Sequence, residues 1–382
     1  MRLHRNAGGL VLALVVPTMT WAAGPTPAEV LLRSMQWQTS VNVLGIIEQR
    51  DGGGTGISQT IRVERDKNGR SHYLVLAPLR MQGIESVDDG SRSCMYWPDK
   101  NVLIDQESPS KTPCDAAWRI ELTKKNYRLR FVTPIKIAGR ATKCVEATPV
   151  DSRMETRRFY VDAVTFYPLR LETYEGNRRI STISDTKEIS YPTSVSADRF
   201  VLSPAGSTRT MRYNRPQSLK LSQAAKLIGF TPILPKEMPM GFAMQDIQLT
   251  QSDRWKSVAI RITDGLVRGT VYQWRSKRDE PSVDGMDDNS VVQIGDIKMM
   301  MVSDLDASRR RAMLEAFIET ARTEGTLEGL LDLRISQSEP VSIFPVLDSL
   351  TTCPGETSVG YRCFQFRIIF TATGSTAGAS PN

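Results

Sequence analysis

The stretch Val87-Asp-Asp-Gly-Ser-Arg-Ser-Cys-Met-Tyr-Trp-Pro-Asp-Lys-Asn-Val-Leu-Ile104 predicts two strands joined by a tight turn. Aromatic and branched apolar residues flank the turn from Trp97 to Asn101, and Pro, Asp and Asn are residues that tight turns favour. One hairpin is compatible with many folds. Its weight comes from the strand pairs that follow it and from the secretion signal that precedes it.

The N-terminus has the features of a secretory signal peptide. Arg2 and Arg5 precede an apolar run over 10–16, and small residues follow around Ala22. The run is too short to cross a bilayer, and small residues are typical of a cleavage point. We expect residues 1–23 to be removed by cleavage after Ala22 or one or two residues later. The mature protein should then be soluble in the periplasm, exported through the Sec pathway.

The charge balance is basic. Loss of Arg2 and Arg5 would lower the formal net charge from +7 to +5. A basic secreted protein can touch an anionic membrane surface or an acidic partner, and general solubility explains the charge equally well. The basic residues are dispersed and the compartment is wrong for nucleic acid, so we expect no nucleic-acid partner.

The five cysteines favour disulfides in an oxidising compartment. Cys353 and Cys363 flank a short Pro-Gly loop and are the first candidate pair. Cys94 and Cys114 flank the hairpin and its following loop and are the second. Cys144 would then be unpaired, because the count is odd. A Cys-x-x-Cys motif is missing from the sequence, so neither a thiol-disulfide oxidoreductase nor a zinc knuckle is expected.

Residues 24–204 are predicted to form an antiparallel domain. Thr26 and Glu29 make a capping box with Pro27 at the first helical position, and the predicted helix runs to about Gln38. About ten strands at short spacing follow. They predict a large α+β unit, in which a curved antiparallel half-barrel wraps around the helix. A sheet this wide curls and leaves a concave face.

The remainder is divided into three segments by composition. Residues 205–217 are rich in Gly, Ser, Thr, Arg and Pro, which is typical of a linker. Residues 218–323 predict a smaller α+β domain, with a helix at each end and strands between. Residues 324–382 are predicted to be a C-terminal extension with a partly disordered tail.

Catalytic motifs are missing from the sequence. His4 leaves with the signal peptide, so His72 is the single histidine of the mature chain. The nucleophile-elbow, zinc-protease and P-loop patterns do not occur. Asp88 and Asp89 are more typical of a turn than of an acid/base pair, although glycosidase carboxylates need no fixed spacing. We expect no enzyme activity, no cofactor and no metal site.

A hydrophobic ligand cavity is the better hypothesis. Each apolar strand residue is by itself more often core than cavity wall, but a half-barrel on one helix leaves a concave apolar surface. Met and Leu suit flexible acyl chains because they adapt to irregular shapes. The candidates for the wall are Leu74, Leu76, Met81, Ile84, Met95, Trp97, Leu103, Phe131, Phe159 and Leu171.

The order of several short motifs carries a family resemblance. The hairpin Tyr96-Trp-Pro-Asp99 is followed by Gly139-Arg-Ala-Thr-Lys-Cys-Val-Glu-Ala-Thr-Pro149, then by Arg157-Arg-Phe-Tyr-Val-Asp162 with Tyr167-Pro-Leu-Arg-Leu-Glu172, and by Asp198-Arg-Phe-Val-Leu-Ser-Pro204. In the second domain Met238-Pro-Met-Gly-Phe242 has Met where Leu is usual. This order resembles the LolA/LolB-like half-barrel fold and, within it, the MucB/RseB sigma-factor regulatory proteins. The resemblance covers 26–204 well and 216–323 loosely.

The resemblance implies a function. Such a protein senses lipid or lipoprotein acyl chains in the half-barrel, binds the periplasmic domain of a membrane anti-sigma factor and modulates envelope-stress signalling. The linker would let the two domains reorient. The alternative is a periplasmic carrier or sorting protein for outer-membrane lipoproteins or lipids. The second domain favours the regulator, since a simple carrier needs only the half-barrel.

Overall fold

The structure is a computed structural model. It describes residues 24–37, 40–50, 58–108, 115–204, 206–213, 217–251, 256–275 and 291–323. The predicted signal peptide, the extension 324–382 and the residues Cys114, Cys353 and Cys363 lie outside these ranges.

Among the described residues, twelve strands form one sheet in the first part of the chain. They are β1 (Val43–Arg50), β2 (Ser58–Arg65), β3 (Ser71–Ala77), β4 (Glu85–Asp88), β5 (Arg92–Trp97), β6 (Val102–Glu107), β7 (Tyr127–Val132), β8 (Thr142–Pro149), β9 (Thr156–Asp162), β10 (Pro168–Glu175), β11 (Arg178–Ser190) and β12 (Arg209–Tyr213). Their order is β12-β6-β5-β4-β3-β2-β1-β11-β10-β9-β8-β7, so the sheet does not close. The predicted antiparallel half-barrel is confirmed.

Two helices accompany this sheet, α1 (Pro27–Met35) and α2 (Ala116–Asn126). The capping box is confirmed: the Glu29 amide donates to Thr26 Oγ1 at 3.3 Å, and the Thr26 amide donates to Glu29 Oε2 at 2.7 Å. α1 ends before the predicted Gln38. α2 begins directly after Asp115 and has 11 residues.

The stretch Val87–Ile104 contains two turns rather than one. The Asp89 carboxylate accepts hydrogen bonds of 2.7 Å from the amides of Ser91 and Arg92, which closes a turn between β4 and β5. The predicted turn from Trp97 to Asn101 then joins β5 to β6. Asp89 thus acts as a turn residue, because short acidic side chains cap nearby backbone amides.

The second part of the chain forms a smaller α+β unit around its own sheet. Its elements are β13 (Gln217–Ser218), α3 (Leu221–Ile228), β14 (Ala243–Gln251), β15 (Lys256–Thr263), β16 (Arg268–Arg275), β17 (Val291–Ile294), β18 (Ile297–Ser303) and α4 (Ala307–Thr323). The sheet order is β13-β14-β15-β16-β18-β17. Met313, Leu314 and Phe317 of α4 are fully buried in the core of this unit.

Part of the predicted linker 205–217 is a strand. β12 pairs with β6 in parallel, with Thr210 opposite Leu103. The Asn101 side chain holds the start of β12, since its Oδ1 accepts a 2.8 Å hydrogen bond from Thr208 Oγ1. A sheet edge offers unpaired backbone groups. Pairing with β12 satisfies the backbone groups on the outer side of β6.

Candidate functional site

One face of the twelve-stranded sheet is apolar, and we call it the inner face. On β7 to β10 it carries the directly paired row Phe131, Val145, Phe159 and Leu171. Val145, Phe159 and Leu171 share a buried core with residues of α1 and α2. Toward β1 to β6 the apolar surface continues through a second buried core, which includes Trp37, Val43, Ile47, Ile61, Val63, Tyr73, Val75, Met81, Ile84, Met95, Trp97 and Ile104. Cys144 and Tyr160 belong to the same cluster but pair with each other one residue from Val145 and Phe159, and so lie on the opposite face of β8 and β9.

The structure brings six of the ten predicted cavity residues into these two cores. Met81, Ile84, Met95 and Trp97 are buried together in the second core, whereas Phe159 and Leu171 belong to the first. Their contact with a ligand stays a prediction.

Four predicted residues are placed differently. Leu74 and Leu76 alternate with Tyr73 and Val75 along β3, and Leu103 precedes the buried Ile104 on β6. Because successive strand residues point to opposite faces, these three leucines lie on the outer face, where they are half-buried. Phe131 lies at the edge of the sheet with 46% of its surface exposed.

Sequence reasoning missed several inner-face residues that the alternation reveals. On β2, Ile61 and Val63 are buried while Arg62 between them is exposed. Ile61 pairs with Ile47 and with Val75, which continues the apolar row. The period-two pattern on β2 and β3 was the signal that would have selected these residues in place of Leu74 and Leu76.

The inner face also contains a buried polar group. Arg65 is only 3% exposed, and its guanidinium lies 3.4 Å from the Tyr73 hydroxyl and 5.8 Å from the Trp37 ring. Ser108 Oγ donates a 2.9 Å hydrogen bond to Asp88. Burial raises the pKa of Asp88, although the amide of Gly90, the Ser108 hydroxyl and the charge of Arg65 oppose the rise. One part of the face therefore offers charge as well as apolar surface.

The two domains exchange side chains between their cores. Leu266, in the turn between β15 and β16, is 3% exposed and belongs to the first-domain core with Val30 and Ile120. Met154, in the turn between β8 and β9, belongs to the second-domain core. Each domain thus fills a space in the other.

Polar contacts reinforce this joint. Asn126 at the end of α2 donates to the carbonyls of Gly241 and Asp264, at 2.7 and 2.9 Å. Arg119 of α2 donates to the Gly265 carbonyl at 3.1 Å. The contacts come from one helix of the first domain and two turns of the second. They oppose the free reorientation that a flexible linker would allow.

His72 lies on the outer face between two glutamates. Its Nδ1 atom is 3.4 Å from Glu64 and its Nε2 atom is 2.8 Å from Glu85. Arg199, beyond β11, pairs with the same Glu64 at 2.5 Å. Burial disfavours the protonated ring, but the hydrogen bond to Glu85 and the charges of both glutamates outweigh burial and raise the pKa of His72.

Two cysteines are described, Cys94 and Cys144, and no disulfide joins them. Cys144 is buried on β8, and its unpaired state stays a prediction. Cys94 lies on β5, 3.5 Å from Asp105. Its predicted partner Cys114 lies outside the described residues, as do Cys353 and Cys363. Both disulfides stay predictions.

Comparison with known proteins gives matches at the level of structure. No protein-family model and no curated protein match the sequence. The crystal structure of MucB matches with a TM-score of 0.50 at 16% identity, over 75% of this chain and 96% of that chain. The chain has the fold of MucB. The predicted resemblance to the MucB/RseB branch is therefore confirmed for the fold.

Other solved structures match less closely. The MucA/MucB complex of Pseudomonas aeruginosa has a TM-score of 0.49 at 15% identity, over 75% of this chain and 96% of that chain. A LolA superfamily protein from Nitrosomonas europaea has a TM-score of 0.22 at 13% identity, over 47% of this chain and 98% of that chain. Among the described residues, the structure has no helix with the length and apolar character needed to cross a membrane.

Proposed function

We propose that this protein is a periplasmic regulator that binds the periplasmic segment of a membrane anti-sigma factor. The observation that carries the proposal is the extent of the MucB fold, which covers 96% of the MucB chain and so includes both domains. MucB has been solved in complex with MucA(peri). The joint through Leu266 and Met154 makes the two domains one surface for a partner.

We further propose that the inner face receives acyl chains of lipid or lipoprotein, and that this binding controls the partner. Met81 and Met95 lie in the same buried core as Trp97. Unbranched thioether side chains repack around irregular apolar ligands. The basic charge supports contact with an anionic membrane surface.

The proposed role is non-enzymatic. Both ring nitrogens of His72 face glutamates, at 3.4 and 2.8 Å. A histidine that serves as a general base needs one nitrogen directed at a nucleophile or substrate. This arrangement supports a structural histidine.

The test of the regulator is a pull-down. The mature chain would be incubated with periplasmic domains of membrane proteins from its own organism. The incubation would be done without detergent, once in the presence and once in the absence of acyl lipid. We expect recovery of an anti-sigma factor and its release by lipid. Recovery of acyl lipid without any anti-sigma factor would overturn the regulator and leave the carrier.

The test of the lipid site compares two neighbouring strand positions. Met95→Gln places a polar amide on the inner face, whereas Leu103→Gln places the same group on the outer face. We expect only Met95→Gln to weaken binding of a fluorescent fatty acid, with thermal unfolding as the check on folding. Equal binding by both folded variants would remove the inner face as the lipid site.

A further inference from the structure

The sheet of the first domain ends on β7, and this edge is uncovered in the part of the chain that the structure describes. β7 has one neighbour there, β8, and the strand at the opposite end of the sheet, β12, likewise has one, β6. An uncovered strand leaves a row of backbone N–H and C=O groups unpaired and is a template for another strand.

The register shows which backbone groups face outward. The Val150 amide donates a 2.8 Å hydrogen bond to the Asn126 carbonyl, one step beyond the ladder in which Tyr127 lies opposite Pro149. Antiparallel ladders alternate between bonded and non-bonded pairs. Arg128 and Arg130 therefore bond to β8. Leu129 and Phe131 direct their N–H and C=O groups to the open edge.

On the outer face, a row of alternating charge runs to this edge. Arg130, Glu146, Arg158 and Glu172 lie directly opposite one another on β7, β8, β9 and β10. Glu146 accepts from Arg130 at 2.5 Å and from Arg158 at 2.8 Å, so one carboxylate serves two cations. Arg130 ends the row and is 70% exposed. On a strand added beside β7, the residue opposite Arg130 would therefore fit best with an acidic side chain.

On the inner face, the neighbouring row is apolar. It runs through Phe131, Val145, Phe159 and Leu171 on the same four strands. Val145 and Leu171 are buried, but Phe131 at the edge is 46% exposed. Ile135, shortly after β7, is 43% exposed. On a strand added beside β7, the residue opposite Phe131 would therefore fit best with an apolar side chain.

We infer that the β7 edge is a docking site for an extended protein segment that adds as a further strand and carries an acidic residue between two apolar residues. Backbone hydrogen bonds to Leu129 and Phe131 would supply affinity, and the two rows would supply selectivity. The inference goes beyond the proposed function, because it holds for any partner with such a segment.

The test uses two short end-blocked peptides, one alternating valine with glutamate and one alternating valine with lysine. The mature chain would be titrated with each, followed by NMR and amide hydrogen exchange. We expect the glutamate peptide to protect the amides of Leu129 and Phe131. It should bind roughly tenfold more tightly than the lysine peptide, because glutamate is attracted to Arg128 and Arg130 of β7 whereas lysine is repelled by them.

Charge reversal sharpens the test. Arg130→Glu should reverse the order of the peptides. The control Arg178→Glu, at an arginine 75% exposed at the start of β11, should preserve it. Arg130→Glu places a second carboxylate beside Glu146 and so perturbs the sheet itself, which makes a second variant necessary. Phe131→Thr removes apolar surface at the edge without a change of charge and should weaken binding of both peptides. No binding, equal binding of both peptides by the unmodified chain, or protection away from β7 would overturn the inference.

Discussion

The Tyr127 hydroxyl donates a 2.5 Å hydrogen bond to Asp264 Oδ2 across the boundary between the two domains. The other oxygen of Asp264 accepts from the amides of Leu266 and Val267, at 2.9 and 2.7 Å. Burial raises the pKa of Asp264, while the Tyr127 hydroxyl, these amides and the charge of Arg157 oppose the rise. One buried carboxylate thus shapes the turn that carries Leu266 and holds that turn to the first domain.

Tyr127→Phe should lower the free energy of unfolding by about 1–3 kcal/mol, because a buried carboxylate oxygen loses its donor. Urea denaturation followed by tryptophan fluorescence measures this change. The control is Tyr96→Phe, whose hydroxyl makes only a 3.4 Å contact with Asn101. Equal losses in the two variants would contradict a special role of the Tyr127 bond.

Gly265→Ala should disrupt the joint between the domains. Gly265 has a φ of +104°, and an added Cβ would lie 2.4 Å from Thr123 Oγ1 and 2.7 Å from the Arg119 carbonyl oxygen. Separation of α2 from this turn is the expected result. Limited proteolysis and the number of unfolding transitions measure it.

Gly139→Ala is the matched control for this steric effect. Gly139 also has a positive φ, of +75°, but no atom lies within 4 Å of its added Cβ. It should show only the backbone cost of a left-handed alanine, about 1 kcal/mol. Identical behaviour of the two variants would show that steric overlap at α2 is unimportant.

His72 should make stability depend on pH. Its folded pKa is raised above 6.5, so the stabilisation by its protonated form is fully present below 6.5 and is lost as pH rises through the folded pKa. His72→Gln should therefore cost more free energy of unfolding at about pH 6 than at about pH 9. Denaturation at both pH values measures this difference, and an equal cost would contradict it.

The two described thiols should react slowly. Burial, with Asp105, raises the pKa of Cys94 to about 11, and burial raises that of Cys144 to about 12. Only the thiolate reacts with iodoacetamide. Cys144, and Cys94 in molecules where it is not joined to Cys114, should alkylate much more slowly in the folded chain than after unfolding. Mass spectrometry without reduction measures this and would also detect the predicted Cys94–Cys114 and Cys353–Cys363 pairs, and rapid labelling of folded Cys144 would contradict the burial argument.

The elements that the sequence predicted well are those determined by neighbouring residues. Thr26 and Glu29 lie three residues apart and satisfy each other's backbone amides, so the start of α1 could be read directly. Leu74, Leu76 and Leu103 lie on the outer face, apart from the other candidates for the cavity wall, and apolar character alone does not tell which face of a strand is buried. The alternation of Ile61 and Val63 with charged neighbours carries that information.

The amino-acid sequence by itself determined the capped start of α1, the strand-rich character of residues 24–204, the turn between Trp97 and Asn101 and the resemblance to a half-barrel family, since capping, turn chemistry and apolar period act over a few residues. The tertiary structure decided which rows of side chains meet across strands. It placed His72 between Glu64 and Glu85, left Arg130 and Phe131 at an open edge, and brought Tyr127 to Asp264. These contacts join residues far apart in the chain, and their geometry depends on the register of whole strands and on the packing of one domain against the other.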